Sequence, residues 1–177
     1  NWFTGSDRIN WFILNNGDRY VSGNFIAEGV GQTPRDELLA ISEASGHAHL
    51  MRFNGSDWST PWATSSGQIH WWIFHEPDRY VAADFDGDGV DELLAINEAT
   101  QHAHLMKYTG SAWTTIWSTG SGQIHWWIFH QSDKYVAGDF DGDGKEELLA
   151  ANHSTGFAHL MRFTAGSWST PWSTGSG

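Results

Sequence analysis

The feature that most constrains the fold is an internal repeat. Residues 62–116 align without a gap on residues 117–171, and 35 of the 55 aligned positions are identical. Residues 2–61 form another copy, which matches the other two at both ends and carries five extra residues in its middle. Residues 172–177 restart the pattern, so we expect them to begin a further unit. Three similar copies predict a single repeat domain whose units share one local structure.

Each copy contains the signals of four short β-strands. In the second copy these are residues 69–74, 79–85, 92–97 and 102–108, which are rich in β-branched and aromatic residues and are separated by turn-forming residues. Two of them are almost continuously hydrophobic, which predicts a sheet that is covered on both faces. The sequence therefore predicts an all-β, β-propeller-type array of three four-stranded blades. A β-trefoil-like three-fold fold is the alternative.

Charge and composition exclude several partners and chemistries. The chain has 9 Lys and Arg against 21 Asp and Glu, and this net charge of −12 argues against nucleic acid and anionic membranes as partners. It has no cysteine, which excludes disulfides and thiolate catalysis. No stretch reaches the roughly 18 apolar residues of a membrane span, so we expect no membrane insertion. Divalent cations and neutral ligands remain possible partners.

A cluster of carboxylates precedes one hydrophobic strand in each of the last two copies. Residues 84–92 (DFDGDGVDE) place side-chain oxygens at positions 1, 3, 5 and 9 and a backbone carbonyl at position 7, and residues 139–147 repeat this spacing. Hard oxygen ligands in this number suit Ca²⁺, and without a cation the carboxylates would repel one another. The predicted Ca²⁺ ligands are Asp84, Asp86, Asp88, the Val90 carbonyl and Glu92, and then Asp139, Asp141, Asp143, the Lys145 carbonyl and Glu147. A solvated acidic turn without metal is the alternative.

These two segments, DFDGDGVDELLAI and DFDGDGKEELLAA, resemble the calcium loops of FG-GAP and VCBS repeats, which form the blades of integrin-like β-propellers. The loop differs from an EF-hand because strands flank it instead of helices. The resemblance implies a Ca²⁺-stabilised blade that serves binding or display and has no chemistry of its own. Together with the lack of cysteine, it leads us to expect a secreted or cell-surface protein.

The first copy departs from this loop. Residues 24–37 lose the carboxylates of positions 3 and 5 to insertion and substitution, so we expect no Ca²⁺ there and expect Arg35 and loop packing to hold this blade. Closed propellers have four to eight blades, whereas this chain supplies three. We therefore expect self-association into a dimer or larger ring, or a place within a longer propeller.

The 12 tryptophans recur at fixed positions of the repeat. Alternate residues of a strand share a face, which predicts that three sets of residues identical in all copies lie in the core: Ile9, Ile69 and Ile124; Trp11, Trp71 and Trp126; and Ile13, Ile73 and Ile128. The opposite face and its surroundings then carry the candidate ligand-binding residues, which are His70, Trp72, His75, His125, Trp127 and His130. Packing against the next blade is the alternative role for this cluster.

Two His-x-His pairs raise the question of zinc. His47 with His49, and His102 with His104, share strand faces and could bind Zn²⁺. The third copy has Phe157 at the first of these positions. This favours a buried histidine at the second position over a metal site.

The motifs favour recognition over catalysis. The sequence contains no nucleophile elbow, P-loop or dinucleotide-binding motif, and near-identical copies do not bring together the unlike groups of an active site. We expect no enzyme but a multivalent, calcium-binding recognition module. A carbohydrate or glycoprotein is the expected ligand, because aromatic faces stack on sugar rings and polar groups bind their hydroxyls. The alternative is a structural or protein-docking propeller domain of a larger secreted protein.

Overall fold

The computed structural model describes residues 8–10, 12–76 and 78–174. In this part of the chain it consists of β-strands and turns, which form three four-stranded antiparallel sheets and three two-stranded hairpins. The described residues contain no helix with the length and apolar character needed to span a bilayer.

Each four-stranded sheet pairs consecutive strands in order, with a hairpin before it. Blade 1 follows the hairpin of β1 (Arg8–Ile9) and β2 (Phe12–Ile13) and consists of β3 (Arg19–Gly23), β4 (Glu37–Ser42), β5 (His47–Phe53) and β6 (Trp58–Thr64). Blade 2 follows β7 (Gln68–Ile69) and β8 (Trp72–Ile73) and consists of β9 (Arg79–Ala83), β10 (Glu92–Asn97), β11 (His102–Tyr108) and β12 (Trp113–Thr119). Blade 3 follows β13 (Gln123–Ile124) and β14 (Trp127–Ile128) and consists of β15 (Lys134–Gly138), β16 (Glu147–Asn152), β17 (Phe157–Thr164) and β18 (Ser167–Ser173).

This architecture confirms the predicted all-β, propeller-type array of four-stranded blades. Each sheet contains strands of one meander only, as propeller blades do, whereas a trefoil barrel pairs strands of different repeats. The first strand of blade 2, β9, packs against both β3 and β15. Blade 2 therefore lies between blades 1 and 3, and the three blades do not close a ring by themselves.

The segment predicted as the first strand of each blade is instead a hairpin. Residues 69–74 do not form one strand, because His70 adopts a positive φ of 52° and the chain reverses there, so that Ile69 pairs with Trp72. The fourth strand of blade 2 is β12, which pairs with β11. A residue with positive φ interrupts the two-residue alternation of side chains, and the hydrophobic pattern of the sequence does not reveal the reversal.

The reversal exchanges the predicted faces of the neighbouring tryptophans. Trp71 and Trp126 follow the left-handed residues and are 72% and 73% exposed, whereas Trp72 and Trp127 are each 3% exposed. The core prediction is therefore wrong for Trp71 and Trp126 and for the exposed Ile13, Ile73 and Ile128, and it is confirmed for Ile69 and Ile124. Trp11 lies outside the described residues. At the hairpins, the indoles available to a ligand are therefore those that the strand pattern assigned to the core.

The core lies between neighbouring blades. Phe25 of blade 1 packs edge-on against Trp113 of blade 2 with ring centroids 5.4 Å apart, and Phe85 of blade 2 packs in the same way against Trp168 of blade 3 at 5.3 Å. All six residues of β10 are buried. Burial on both faces explains why this strand is a continuous hydrophobic run.

Each blade has two ends with different surroundings. In blade 2, β9 runs from the hairpin to the acidic loop of residues 84–92, and β10 runs back to the turn of residues 98–101. Five residues of β9 span about 17 Å. The predicted Ca²⁺ loop and the predicted ligand residues therefore lie at opposite ends of the blade, which we term the loop end and the pocket end.

Candidate functional site

Asp84 organises the acidic loop of blade 2. Its Oδ1 accepts hydrogen bonds from the backbone N–H groups of Gly87 at 2.7 Å and Asp88 at 3.0 Å, and its Oδ2 accepts one from Gly89 at 2.8 Å. Gly87 has a φ of 81°, and a Cβ on it would lie 2.7 Å from the side chain of Lys145 in the next loop. Only glycine satisfies both conditions, so the turn and the packing of adjacent loops share one residue.

Three carboxylates converge within each acidic loop. The oxygens of each trio lie within 4.8 Å of one another, and the trios are Asp84, Asp86 and Glu92, and Asp139, Asp141 and Glu147. Both glutamates are fully buried, and each accepts a loop N–H, from Phe85 in blade 2 and from Phe140 in blade 3, at 3.0 Å. Carboxylate oxygens grouped in this way fit a hard divalent cation.

Burial governs the protonation of the two glutamates. It raises the pKa of Glu92 to about 7, although Lys107 acts in the opposite direction, and it also raises the pKa of Glu147. A buried carboxylate that is costly to ionise favours a nearby positive charge. Each loop is thus electrostatically suited to a cation.

Lys107 extends from β11 into the loop of blade 2. Its Nζ lies 2.8 Å from Asp86 Oδ2, 2.7 Å from Asp88 Oδ2 and 2.7 Å from Glu92 Oε1. Two of these three carboxylates belong to the converging trio, and Asp88 is also a predicted Ca²⁺ ligand. The ammonium and a metal ion would therefore compete for the same oxygens.

Arg162 takes the corresponding position in blade 3. Its guanidinium contacts Asp141 and lies 3.1 Å from Glu147 Oε1. Lys107 and Arg162 are not among the site residues predicted from the sequence. A signal was available, because the position after the buried methionine of this strand is basic in all three copies.

Blade 1 replaces the acidic loop with an ion-pair network. Arg52, the counterpart of Lys107, lies 2.6 Å from Glu37 Oε1 and 3.2 Å from Glu28 Oε1. Arg35 also contacts Glu28, at 3.1 Å. Arg35 thus takes part in holding this loop, as expected, but Arg52 makes the contact with the buried glutamate.

The remaining predicted ligands, Asp88, Asp143 and the carbonyls of Val90 and Lys145, are not part of the converging carboxylate trios. Asp88 Oδ1 accepts the Val90 N–H at 3.1 Å, and Asp143 Oδ1 accepts the Lys145 N–H at 2.9 Å. The Lys145 ammonium donates to the backbone carbonyl of Asp86 at 3.0 Å and so ties the two loops together. The carbonyls of Val90 and Lys145 stay predicted ligands.

A pocket opens at the pocket end of blade 2. It has a volume of about 260 Å³ and is lined by Trp71, Trp72, Ile73, His75, Thr100, His102 and His104. Blade 1 has a pocket of about 320 Å³ at the same repeat positions, lined by Phe12, Ile13, Asn15, Ser42, Ser45, His47 and His49. The repeat therefore produces the same concavity more than once.

Only some of the predicted ligand residues face this concavity. Trp72 and His75 line the pocket of blade 2, whereas His70 bonds through Nδ1 to Thr115 Oγ1 of the same blade at 2.9 Å. His125 makes the equivalent bond to Thr170 at 2.8 Å.

In blade 3, Trp127 is buried like Trp72, and the backbone N–H of the exposed His130 bonds to Asp133 at 2.9 Å. Trp127 thus packs in the core as Trp72 does, His130 lies at the surface of the pocket end, and their roles in ligand binding stay predictions.

A buried aspartate that is not among the residues predicted from the sequence positions the pocket wall. Asp78 Oδ2 accepts hydrogen bonds from the Trp72 indole N–H at 2.9 Å, the His75 backbone N–H at 2.9 Å and the Tyr80 hydroxyl at 3.0 Å, while its Oδ1 accepts from Asn97. Burial raises the pKa of Asp78, and the hydrogen bonds oppose this rise. Asp133 makes the corresponding contacts in blade 3.

Residues 84–150 match the family model of the FG-GAP-like repeat. The matched segment contains both acidic loops, so the FG-GAP part of the sequence resemblance is confirmed there; the match does not test the calcium-binding VCBS part. It indicates a non-catalytic interaction module of the β-propeller type, of a kind that occurs in extracellular proteins. No curated protein and no solved structure matches the chain.

Proposed function

We propose that this array of FG-GAP-like blades is a calcium-stabilised, multivalent carbohydrate-binding module that acts outside the cell. The observation that carries the proposal is Trp71, which is 72% exposed at the rim of the pocket of blade 2. The exposed indole presents a flat apolar face beside a pocket, and a pyranose offers a matching apolar face. Trp126 is equally exposed at the same position before blade 3.

The hairpin holds this indole in a defined place. The His70 ring packs edge-on against Trp71 with centroids 5.2 Å apart, and His70 is itself bonded to Thr115. Beneath the turn, Trp72 is fixed by Asp78. A platform held in this way loses little conformational entropy when a ligand binds.

Histidines supply hydrogen-bond acceptors beside the platform. His75 Nδ1 lies 2.8 Å from the Ile73 carbonyl, and His102 Nδ1 lies 2.7 Å from the Thr100 carbonyl. A carbonyl only accepts, so Nδ1 carries the proton in both rings and the neutral imidazole keeps Nε2 as an acceptor. Two acceptors next to an aromatic face suit a neutral ligand rich in hydroxyl groups.

Calcium has a structural role in this proposal. Asp84, Asp86 and Glu92 would hold one ion and their counterparts in blade 3 another, where the charge would neutralise the loop. The loops lie a strand length away from the pockets, so the ion would act on ligand binding through blade stability. At a free concentration of roughly 100 times the dissociation constant, each site would add about 2.7 kcal/mol to the free energy of unfolding.

A glycan array tests the carbohydrate assignment. The wild-type chain should bind a restricted set of glycans, and Trp71→Ala combined with Trp126→Ala should abolish this signal without changing the melting temperature by more than a few degrees. Val30→Ala is the matched control, because it also removes an exposed apolar side chain but lies in the loop between β3 and β4, at the loop end.

The array also separates the two classes of partner. Silence of the folded wild-type chain across several hundred glycans would contradict the carbohydrate assignment and leave a protein-docking module. Glycan binding that persists after loss of both exposed indoles would show that these indoles do not form the binding platform.

A further inference from the structure

We propose that a second copy of this chain docks head-to-tail on the two open blade faces, so that blade 3 of each copy packs on blade 1 of the other and six blades close a ring. Within the chain, the same blade-to-blade contact is made twice. Among the described residues, its two halves recur without a facing blade on the outer sides of blades 1 and 3.

The aromatic part of the contact repeats in detail. Phe25 meets Trp113 at 5.4 Å, and Trp62 meets the same indole at 6.1 Å. Phe85 and Trp117 meet Trp168 at 5.3 and 6.0 Å. A phenylalanine and a tryptophan from one blade thus enclose one tryptophan of the next.

The polar part of the contact repeats as well. The N–H of Asn24 donates to Asp91 Oδ2 at 2.9 Å, while the Asp91 N–H donates to the Asn24 carbonyl at 2.8 Å. Asp84 and Glu146 exchange the same pair of hydrogen bonds at 2.9 and 3.0 Å. The first residue of each loop is therefore hydrogen-bonded to an acidic residue of the following blade.

Blade 3 presents the first half of this contact to solvent. Phe140 and Trp172 are 48% and 51% exposed, whereas Phe85, the counterpart of Phe140, is fully buried and Trp117, the counterpart of Trp172, is partly buried. Asp139, which opens this loop, is exposed too. Blade 3 thus carries an apolar face of the kind that a neighbouring blade covers within the chain.

Blade 1 presents the second half. Trp58 is the counterpart of Trp113 and Trp168, and it is only half-buried where they are 4% and 6% exposed. Asp36 is the counterpart of the two acidic residues that accept the backbone N–H, and it is exposed. The face of blade 1 is therefore complementary to that of blade 3.

The number of blades in a closed propeller favours an assembly of two copies. A head-to-tail contact forms a closed ring or an open filament, and closed propellers have four to eight blades. For assemblies of this 177-residue chain, whose described part forms three blades, six is the only multiple of three in that range. A ring of two copies makes the outer contact twice, and it leaves no open face.

Light scattering on the 177-residue chain measures the assembly. Two copies of 19.8 kDa give about 40 kDa, which is the mass expected of the wild type. Phe140→Asp should halve this mass because it places a carboxylate in the apolar contact. Phe157→Asp is the matched control, since Phe157 lies in the same blade, is 50% exposed and has its counterparts at the pocket end, so its mass should stay near 40 kDa.

Cross-linking tests the direction of docking, because the chain has no cysteine of its own. A short bismaleimide should join Phe140→Cys to Asp36→Cys when the two variants are mixed and should join neither variant to itself. A wild-type monomer, an assembly other than two copies, or cross-linking of Phe140→Cys alone would each overturn the inference.

Discussion

Lys107→Met removes the ammonium from the acidic loop of blade 2 and keeps most of the side chain's length. In the wild type this ammonium lies within 2.8 Å of three carboxylates, one of which, Glu92, is fully buried. Without it those carboxylates face one another uncompensated, unless a metal ion supplies the charge. The variant should therefore depend on Ca²⁺ more strongly than the wild type.

The structure sets the size of this effect. Removing one partner of a buried ion pair costs about 3–5 kcal/mol. The lower end applies here, because Lys107 and Asp88 are 18% and 52% exposed and solvent screens them in part. At about 2–4 °C per kcal/mol for a chain of this length, a loss of about 3 kcal/mol lowers the melting temperature by roughly 6–12 °C in chelator.

Thermal unfolding in excess chelator and in saturating Ca²⁺ measures the effect. The melting temperature of Lys107→Met should fall in chelator and return to near the wild-type value in Ca²⁺. Arg52→Met is the matched control: it removes the counterpart from the ion-pair network of blade 1, where Ca²⁺ should restore nothing. An equal loss for Lys107→Met in both solutions would refute the idea that the ammonium and the ion share one site.

Two further predictions concern buried carboxylates. Burial raises the pKa of Glu43 from 4.5 to about 7 against the effect of Arg19, so its contribution to stability is full below pH 4.5 and is lost as the pH rises through 7. Glu43→Gln should therefore raise the free energy of unfolding by up to about 3 kcal/mol at pH 8 and change it little at pH 4.5. Denaturant unfolding of the variant and the wild type at both pH values measures this. A difference between the two proteins that does not depend on pH would contradict the raised pKa of Glu43. Trp72→Phe removes a donor to Asp78 and keeps the ring type that Phe12 supplies in blade 1, so it should cost about 2 kcal/mol by the same assay, and a cost below about 0.5 kcal/mol would show that the hydrogen bond is dispensable.

The blades and the acidic loops could be predicted because their signals are local and repeated. Strand and turn signals alternate in each copy, and the third copy repeats the spacing of Asp84, Asp86 and Glu92. Recognising these signals requires no knowledge of the tertiary structure. The copies also predict that a contact found once will recur, as it does for Phe25 and Phe85.

The hairpins could not be predicted from the two-residue period. The chain reverses at His70 and His125, which adopt positive φ although neither is glycine, and composition carries no signal for this. Every side chain after the turn changes face as a result. The assignment of Trp71 and Trp126 failed for this reason alone.

The role of Lys107 depended on strand register. Leu93 pairs with Met106 in the sheet, which places Glu92 next to Lys107 although 15 positions separate them in the chain. Counting outward from the turn at residues 98–101 would have revealed this pair. The hydrogen bonds of Asp78 are harder to foresee, because they join the hairpin, β9 and β10.

A calorimetric titration of the chelator-treated chain with Ca²⁺ tests the central claim most directly. We expect two sites per chain. Asp86→Ala and Asp141→Ala should each remove one of them, and the ion pairs of blade 1 should leave no third. Absence of binding at millimolar Ca²⁺, or a stoichiometry that these substitutions do not change, would contradict the account of calcium-stabilised blades.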